Sequence, residues 1–203
     1  MTEGIQERPF YWERFMQDVN QPTDGDLAQP QKVPPGEDLA ALRRGVGRAP
    51  GSVPAMWPLY CRLNADGKIT DALIAEHEAL CLFGVHQQSE AFLVHRPGYS
   101  LGTALCHLRG DGRHSAEAVE RRFAAAATAD DIAEVTTHLR GLVNLLKTLT
   151  PTQGFDYTQL FNDLRNWQSP DRRGRVRRRW GAAFFAYQAA STTSTTTTGS
   201  EAK

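Results

Sequence analysis

Cysteine is scarce in this sequence, and long apolar runs are absent. The 203-residue chain holds three cysteines, Cys61, Cys81 and Cys106, an odd number at wide spacing. That pattern excludes a disulfide framework and suits small buried residues in a reducing compartment. No apolar run approaches the roughly 20 residues of a membrane span. The first 30 residues show no signal peptide, because Glu3, Glu7 and Glu13 interrupt them and no apolar core follows. A cytoplasmic protein without membrane contact is therefore expected. Net charge is absent too, since 23 basic residues face 23 acidic ones.

Catalytic patterns are equally sparse. Gly45-Val-Gly47 has neither the strand before it nor the lysine after it that a phosphate-cradling loop needs. No GxSxG elbow is present. His77 and Cys81 stand four residues apart on a predicted helix, with His86 nearby. They share a face with Leu73, Leu80 and Val85, so a packed histidine and cysteine is expected rather than a metal site, which usually shows paired, closely spaced ligands. Cys106-His107 is a weaker candidate still. Asp130-Asp131 reads as helix N-capping rather than as a catalytic carboxylate pair. The sequence predicts no enzyme, no cofactor and no metal.

What is present is helical periodicity. Residues 9–19 read as a short aromatic helix opened by Pro9. Residues 20–36, rich in proline and glycine, read as a linker. Leu39, Leu42 and Val46 begin a helical pattern, and Pro58 is expected to open a short helix through Leu63. Thr70 or Asp71 caps a long helix to about Gln88, and Ser100 to Leu108 forms another. Ser115 caps a helix through Ala127. A long helix follows from Asp130 to Leu149, with Ile132, Val135, Leu139, Leu142, Val143, Leu146 and Leu149 on one stripe. Tyr157 to Trp167 forms the next helix, ended by Ser169-Pro170. Val176, Trp180, Ala183, Phe184 and Tyr187 mark the inner face of the last. The expected fold is all-α, with two small helical lobes and no sheet. The divisions are an N-terminal helix and linker (1–36), two lobes (37–112 and 113–190) and a disordered threonine-rich tail (191–203).

The charge is unevenly placed. Residues 1–38 carry eight acids against three bases, whereas residues 39–190 carry 19 bases against 14 acids. Only Lys68 and Lys147 among those 19 are lysines, and arginine suits planar, bidentate contact with phosphate. Arg172, Arg173, Arg175, Arg177, Arg178 and Arg179 crowd one stretch with only Asp171 opposing. If Val176 and Trp180 face inward, Arg178 points nearly opposite, flanked by Arg175 and Arg177. On the long helix Thr137, Arg140, Asn144 and Lys147 form an edge without an acid, suited to contacting nucleic-acid backbone. Arg43, Arg44 and Arg48 form a third cluster. Arg121 is partly explained by pairing with Glu117 at i,i+4. Most aromatics of the second half sit on core faces, so phosphate contact without sequence preference is expected. The competing readings are a protein-interaction scaffold, whose arginines pair with acids on partners, and a sequence-specific DNA-binding regulator. The regulator lacks a recognition helix after a short glycine turn.

Several segments in order resemble the CasB family, the small subunit of the type I-E CRISPR surveillance complex Cascade. They are Asp38-Leu-Ala-Ala-Leu-Arg-Arg-Gly45, Pro58-Leu-Tyr-Cys-Arg-Leu63, Glu120-Arg-Arg-Phe123, His138 through Lys147, Asp156 through Leu164, and Arg177-Arg-Arg-Trp180. The similarity spans about residues 37–187. It implies two helical lobes, no enzymatic activity, and two copies lying head to tail. It also implies contact with the backbone and large subunits, with CRISPR RNA and with target DNA, stabilising the R-loop. Carried over by position, Arg43, Arg44, Arg62, Arg122, Arg140, Lys147, Arg177, Arg178 and Arg179 are the candidate nucleic-acid-binding residues. The aromatic N-terminal segment, the proline-rich linker and the threonine tail depart from the family pattern.

Overall fold

The computed structural model describes residues 8–16 and 32–194, with side chains to residue 186. Among these residues the chain is helical and forms no sheet. The α-helices are α1 (Gly36–Arg44), α2 (Asp71–Gln87), α3 (Leu101–Gly110), α4 (Ala116–Thr128), α5 (Ile132–Leu146), α6 (Tyr157–Trp167) and α7 (Pro170–Ser194). Two 3-10 turns, Tyr11–Phe15 and Pro54–Leu59, precede α1 and α2. The N-caps expected at Thr70, Ser115 and Asp131 form, and Ser100 and Asp156 add two more. The hydroxyls of Thr70, Ser100 and Ser115 accept from the backbone N–H groups of Leu73, Thr103 and Ala118. Asp131 caps α5 by accepting from Glu134 N–H at 2.8 Å, while Asp156 caps α6 through Gln159 N–H. Each satisfies a donor that the first helical turn leaves open.

α2 is the centre of the molecule. It is apolar on nearly every side, and Leu73, Ala79, Leu80, Leu82, Phe83 and Gly84 are all buried, as befits a helix enclosed by others. α1, α5 and α6 pack around it, while α3 lies along α7. Two glycines set the close approaches. A Cβ at Gly84 would lie 2.5 Å from Leu42 Cβ on α1, and one at Gly102 would lie 2.7 Å from the Trp180 carbonyl oxygen on α7. One apolar cluster runs from Phe10 to Phe184 without a break at residue 112, where the boundary between the expected lobes falls. A single parallel bridge between His95 and Phe155 ties the loop before α3 to the loop before α6.

Three expectations are corrected. The N-terminal helix shrinks to the turn Tyr11–Phe15, since Met16 is already extended, with ψ 132°; residues 17–19 and 20–31 lie outside the described residues. This turn packs into the core. Tyr11, Trp12 and Phe15 are buried, the Trp12 indole donates to Thr158 Oγ1 at 2.9 Å, and the Tyr11 hydroxyl donates to Asp38. The helix expected from Pro58 to Leu63 does not form. The turn begins at Pro54 and stops at Leu59, where Tyr60 is extended with ψ 147°, and Pro58 within it cannot donate a helical hydrogen bond. Finally, Ser169-Pro170 does more than end α6. Pro170 is the first residue of α7, the position where its missing N–H costs nothing. That helix continues through Ser194, into the segment assigned to the tail; residues 195–203 lie outside the described residues.

Candidate nucleic-acid interface

The arginine cluster of α7 divides into two sets. Helical geometry puts residues 173, 176, 177 and 180 on one side and 172, 175 and 178 around the other. Arg173 Nε donates to the Trp167 carbonyl at 3.0 Å, satisfying the end of α6, and its guanidinium pairs with Asp130. Arg177 Nη2 donates to the carbonyls of Thr128 and Ala129, at 3.2 and 2.7 Å, where α4 ends. The same guanidinium lies over the Trp167 ring. Arg179 pairs with Asp163, a buried carboxylate that also accepts from the Trp180 indole at 2.6 Å. These three arginines hold α7 onto the bundle. Arg172, Arg175 and Arg178 are exposed, and among the described residues no acid or carbonyl takes their guanidinium groups. Spaced three residues apart, they advance about 4.5 Å per step along one outer face.

The edge of α5 is less uniform than its sequence spacing suggests. Lys147 Nζ donates to the carbonyls of Val85 and Gln88, both at 2.8 Å, and so closes the C-terminal end of α2. Burial pulls its pKa down, Glu90 opposes that shift, and nearby Arg43 adds to it. Arg140 is half-buried and close enough to Glu78 to lower that carboxyl's pKa, although burial raises it overall. Thr137 donates back to the Ala133 carbonyl. Arg122 is exposed on α4, its guanidinium facing Gly141 of α5. Arg121 is also exposed, while its neighbour Glu120 pairs with Arg109 at 3.3 Å.

The remaining candidates lie on the α1 side. Arg44 is exposed, with Nε on the Ala40 carbonyl of its own helix; Arg43 is half-buried beside Lys147. Arg62 is built into the core rim, stacked over Phe10 and near Phe161, next to the buried Glu76. Glu76 accepts from the backbone N–H groups of Cys61 and Arg62 at 2.6 and 2.8 Å. The nine candidates therefore do not form one surface. Arg62, Lys147, Arg177 and Arg179 are committed to intramolecular contacts, whereas Arg44, Arg122 and Arg178 face outward. Arg172 and Arg175, outside the candidate set, complete the clearest cationic stripe. Their signal was the three-residue spacing, readable once Pro170 is known to start the helix.

The His77–Cys81 pair is packed as expected. His77 Nε2 donates to the Gly45 carbonyl at 3.1 Å, so Nδ1 accepts from the Tyr60 hydroxyl at 2.6 Å. Both ring nitrogens are spent, and burial lowers the ring's pKa. Among the described residues no three His, Cys, Asp or Glu side chains gather as a metal site would require. No described helix is long and apolar enough to cross a membrane.

Comparison with known proteins gives a consistent result. Residues 38–185 match the family profile of CRISPR-associated protein Cse2. Among solved structures, CasB from Thermobifida fusca is similar at 29% identity with a TM-score of 0.60, over 73% of this chain and 84% of that one. CasB from M. ruber is similar at 28% identity with a TM-score of 0.61, over 81% of this chain and 92% of that one. CasB from Thermus thermophilus is similar at 28% identity with a TM-score of 0.56, over 74% of this chain and 86% of that one. No curated protein sequence matches.

Proposed function

The chain belongs to the Cse2 (CasB) family of CRISPR Cascade-type subunits, and on that premise we propose that it is a non-catalytic subunit whose arginines hold nucleic-acid backbone. The observation that carries the reading is the α7 stripe. Arg172, Arg175 and Arg178 lie exposed on one face, while Arg173, Arg177 and Arg179 anchor the same helix. Three guanidinium groups on one rigid element repel one another unless an anion neutralises them. A phosphate backbone supplies such anions at regular spacing and accepts bidentate donors. In this role the subunit lies against CRISPR RNA and target DNA and stabilises the R-loop, alongside the backbone subunits, the large subunit and a second copy of itself. Arg43, Arg44, Arg122 and Arg140 are further contact candidates away from the α7 stripe; Arg62, Lys147, Arg177 and Arg179 position helices of the bundle.

The test is assembly of the complex with wild-type subunit or with Arg172→Ala/Arg175→Ala/Arg178→Ala, followed by target-duplex opening at several salt concentrations. Normal incorporation with weaker, less salt-sensitive opening supports the reading. Unchanged opening would overturn it, and loss of incorporation would turn the stripe into a protein interface.

One observation favours the scaffold reading for a different face. Trp57, Leu63 and Ile69 are exposed large apolar residues around a groove of about 480 Å³. The Trp57 indole is held outward by donating to the Gly51 carbonyl at 2.7 Å. A rigid exposed tryptophan is a common interface anchor. If this face docks another subunit, Trp57→Ala weakens incorporation without changing nucleic-acid binding by the isolated chain.

A further inference from the structure

We propose that the cavity between the end of α3 and the loop before α6 is a subsite for one nucleobase of a single strand; this rests on the nucleic-acid reading above and refines it. The cavity is about 330 Å³, at the lower end of small-molecule sites. Cys106, Leu149 and Pro151 supply apolar surface, and His107, Asp111 and Gln153 supply polar groups. A nucleobase has the matching chemistry, with apolar faces and a polar edge.

Arg96, Tyr99 and His107 follow one another in contact, the last of them at the cavity. The Arg96 guanidinium lies 4.2 Å from the centre of the Tyr99 ring, and the Tyr99 and His107 rings are 6.0 Å apart, inclined at 37°. His107 is exposed and lines the cavity, so it borders the empty space. Aromatic and guanidinium planes of this kind take up splayed bases.

An arginine borders the same space. Arg113 donates to the Thr148 carbonyl and to Thr150 Oγ1, the latter at 3.2 Å, and Thr150 lines the cavity. His114 Nε2 lies 2.9 Å from Thr148 Oγ1. Asp111 is paired with Arg113 at 3.2 Å, which leaves its other oxygen as an acceptor for a base N–H. A strand whose phosphates follow Arg113 and Arg96 brings one base to His107.

The test compares binding of the full-length protein to a 20-nucleotide oligothymidylate and to an abasic oligomer with the same number of phosphates. The wild-type chain binds the thymidylate roughly five- to tenfold more tightly, the lower end of what one stacked base contributes. His107→Ala removes that preference, while His107→Phe, which keeps a stacking face, retains it. Gly110→Leu offers a second route. A Cβ at Gly110 meets no atom within 4 Å and Gly110 lines the cavity, so leucine adds bulk at its wall; it too removes the preference. Arg172→Ala/Arg175→Ala/Arg178→Ala lowers the salt dependence for both oligomers but keeps the preference. Equal wild-type affinity for the two oligomers, with salt-dependent binding intact, overturns the subsite and leaves the backbone reading standing. A preference that survives both His107→Ala and Gly110→Leu also overturns it. Absence of binding to either oligomer at low salt removes the underlying reading, and the subsite with it.

Discussion

At the scale of single residues, neighbours in sequence carry different loads. Arg177 and Arg178 are adjacent, but only Arg177 meets the α4 carbonyls, Asp130 and the Trp167 ring. Arg177→Ala leaves those carbonyls without their donor and is expected to cost about 1–3 kcal/mol in urea unfolding. Arg178→Ala is expected to change stability by no more than about 0.5 kcal/mol. Equal costs for the two would remove the distinction between anchor and surface arginine. His86 gives a pH prediction. Its ring is buried against Phe155, Nδ1 faces the Tyr157 hydroxyl at 3.0 Å, and burial followed by the Lys147 charge lowers its pKa to about 3. The unfolded chain then binds the His86 proton below about pH 6.5 while the folded chain does not. Stability from this group is complete above that pH and falls on acidification toward pH 3, with a slope of at most about 1.4 kcal/mol per pH unit. His77 and His95 shift in the same direction, whereas the raised Glu76 and Glu78 carboxyls act oppositely above their unfolded pKa. His86→Phe isolates the group. Its stability should decline less steeply than wild type between pH 6.5 and 4, and parallel slopes would show that His86 does not titrate in this way.

At the scale of elements, the N-terminal turn and α7 matter most. The turn Tyr11–Phe15 inserts the fully buried Trp12 among Phe83, His95 and Tyr157. Trp12→Ala is therefore expected to lower stability by about 3–5 kcal/mol, read as a shift in urea midpoint. A change under about 1 kcal/mol would mean the turn only rests on the bundle. α7 joins two tasks on one rod, since its inner arginines close the ends of α4 and α6 while its outer arginines carry the proposed interface. Removing Arg172, Arg175 and Arg178 together should flatten the log–log salt dependence of single-strand binding by about 2, at roughly 0.7 per phosphate. An unchanged slope would mean that the three touch no phosphate. Just past α5, Lys147→Ala is not a neutral surface change, because it removes the donor for Val85 and Gln88. Pairing it with Arg140→Ala would mix loss of an α2 cap with loss of a surface charge.

At the scale of the whole molecule, the apolar cluster is continuous from the N-terminal turn to α7. α2 is the reason, since it packs against α1 before the expected lobe boundary and against α5 and α6 after it. Thermal or urea unfolding should accordingly be one cooperative transition, with far-UV dichroism and tryptophan fluorescence coincident. Two separated transitions would restore two independent lobes. Net charge is zero over the whole chain, so any attraction to nucleic acid depends on where the arginines lie and not on their total.

Periodicity and capping were legible because they are local. Thr70, Ser100, Ser115 and Asp131 each cap the helix their position announces, and the stripe from Val135 to Leu146 is the buried face of α5. These features depend on residues within one or two turns, and so does the ordered set of segments that carries the family resemblance. The fates of the charged side chains were not legible. Arg177 and Lys147 look like surface cations in sequence, yet their partners lie 48 and 62 residues away, on carbonyls that only packing brings within reach. The packing of the aromatic turn was not legible for the same reason, since its partner Thr158 is 146 residues distant from Trp12. The sequence by itself determined an all-helical chain with a surplus of arginine between residues 39 and 190, because helix formation and charge placement are written in short windows. Only the tertiary structure decided which arginines close helix ends and which face solvent, because a long flexible side chain takes whichever carbonyl or carboxylate the folded backbone sets before it.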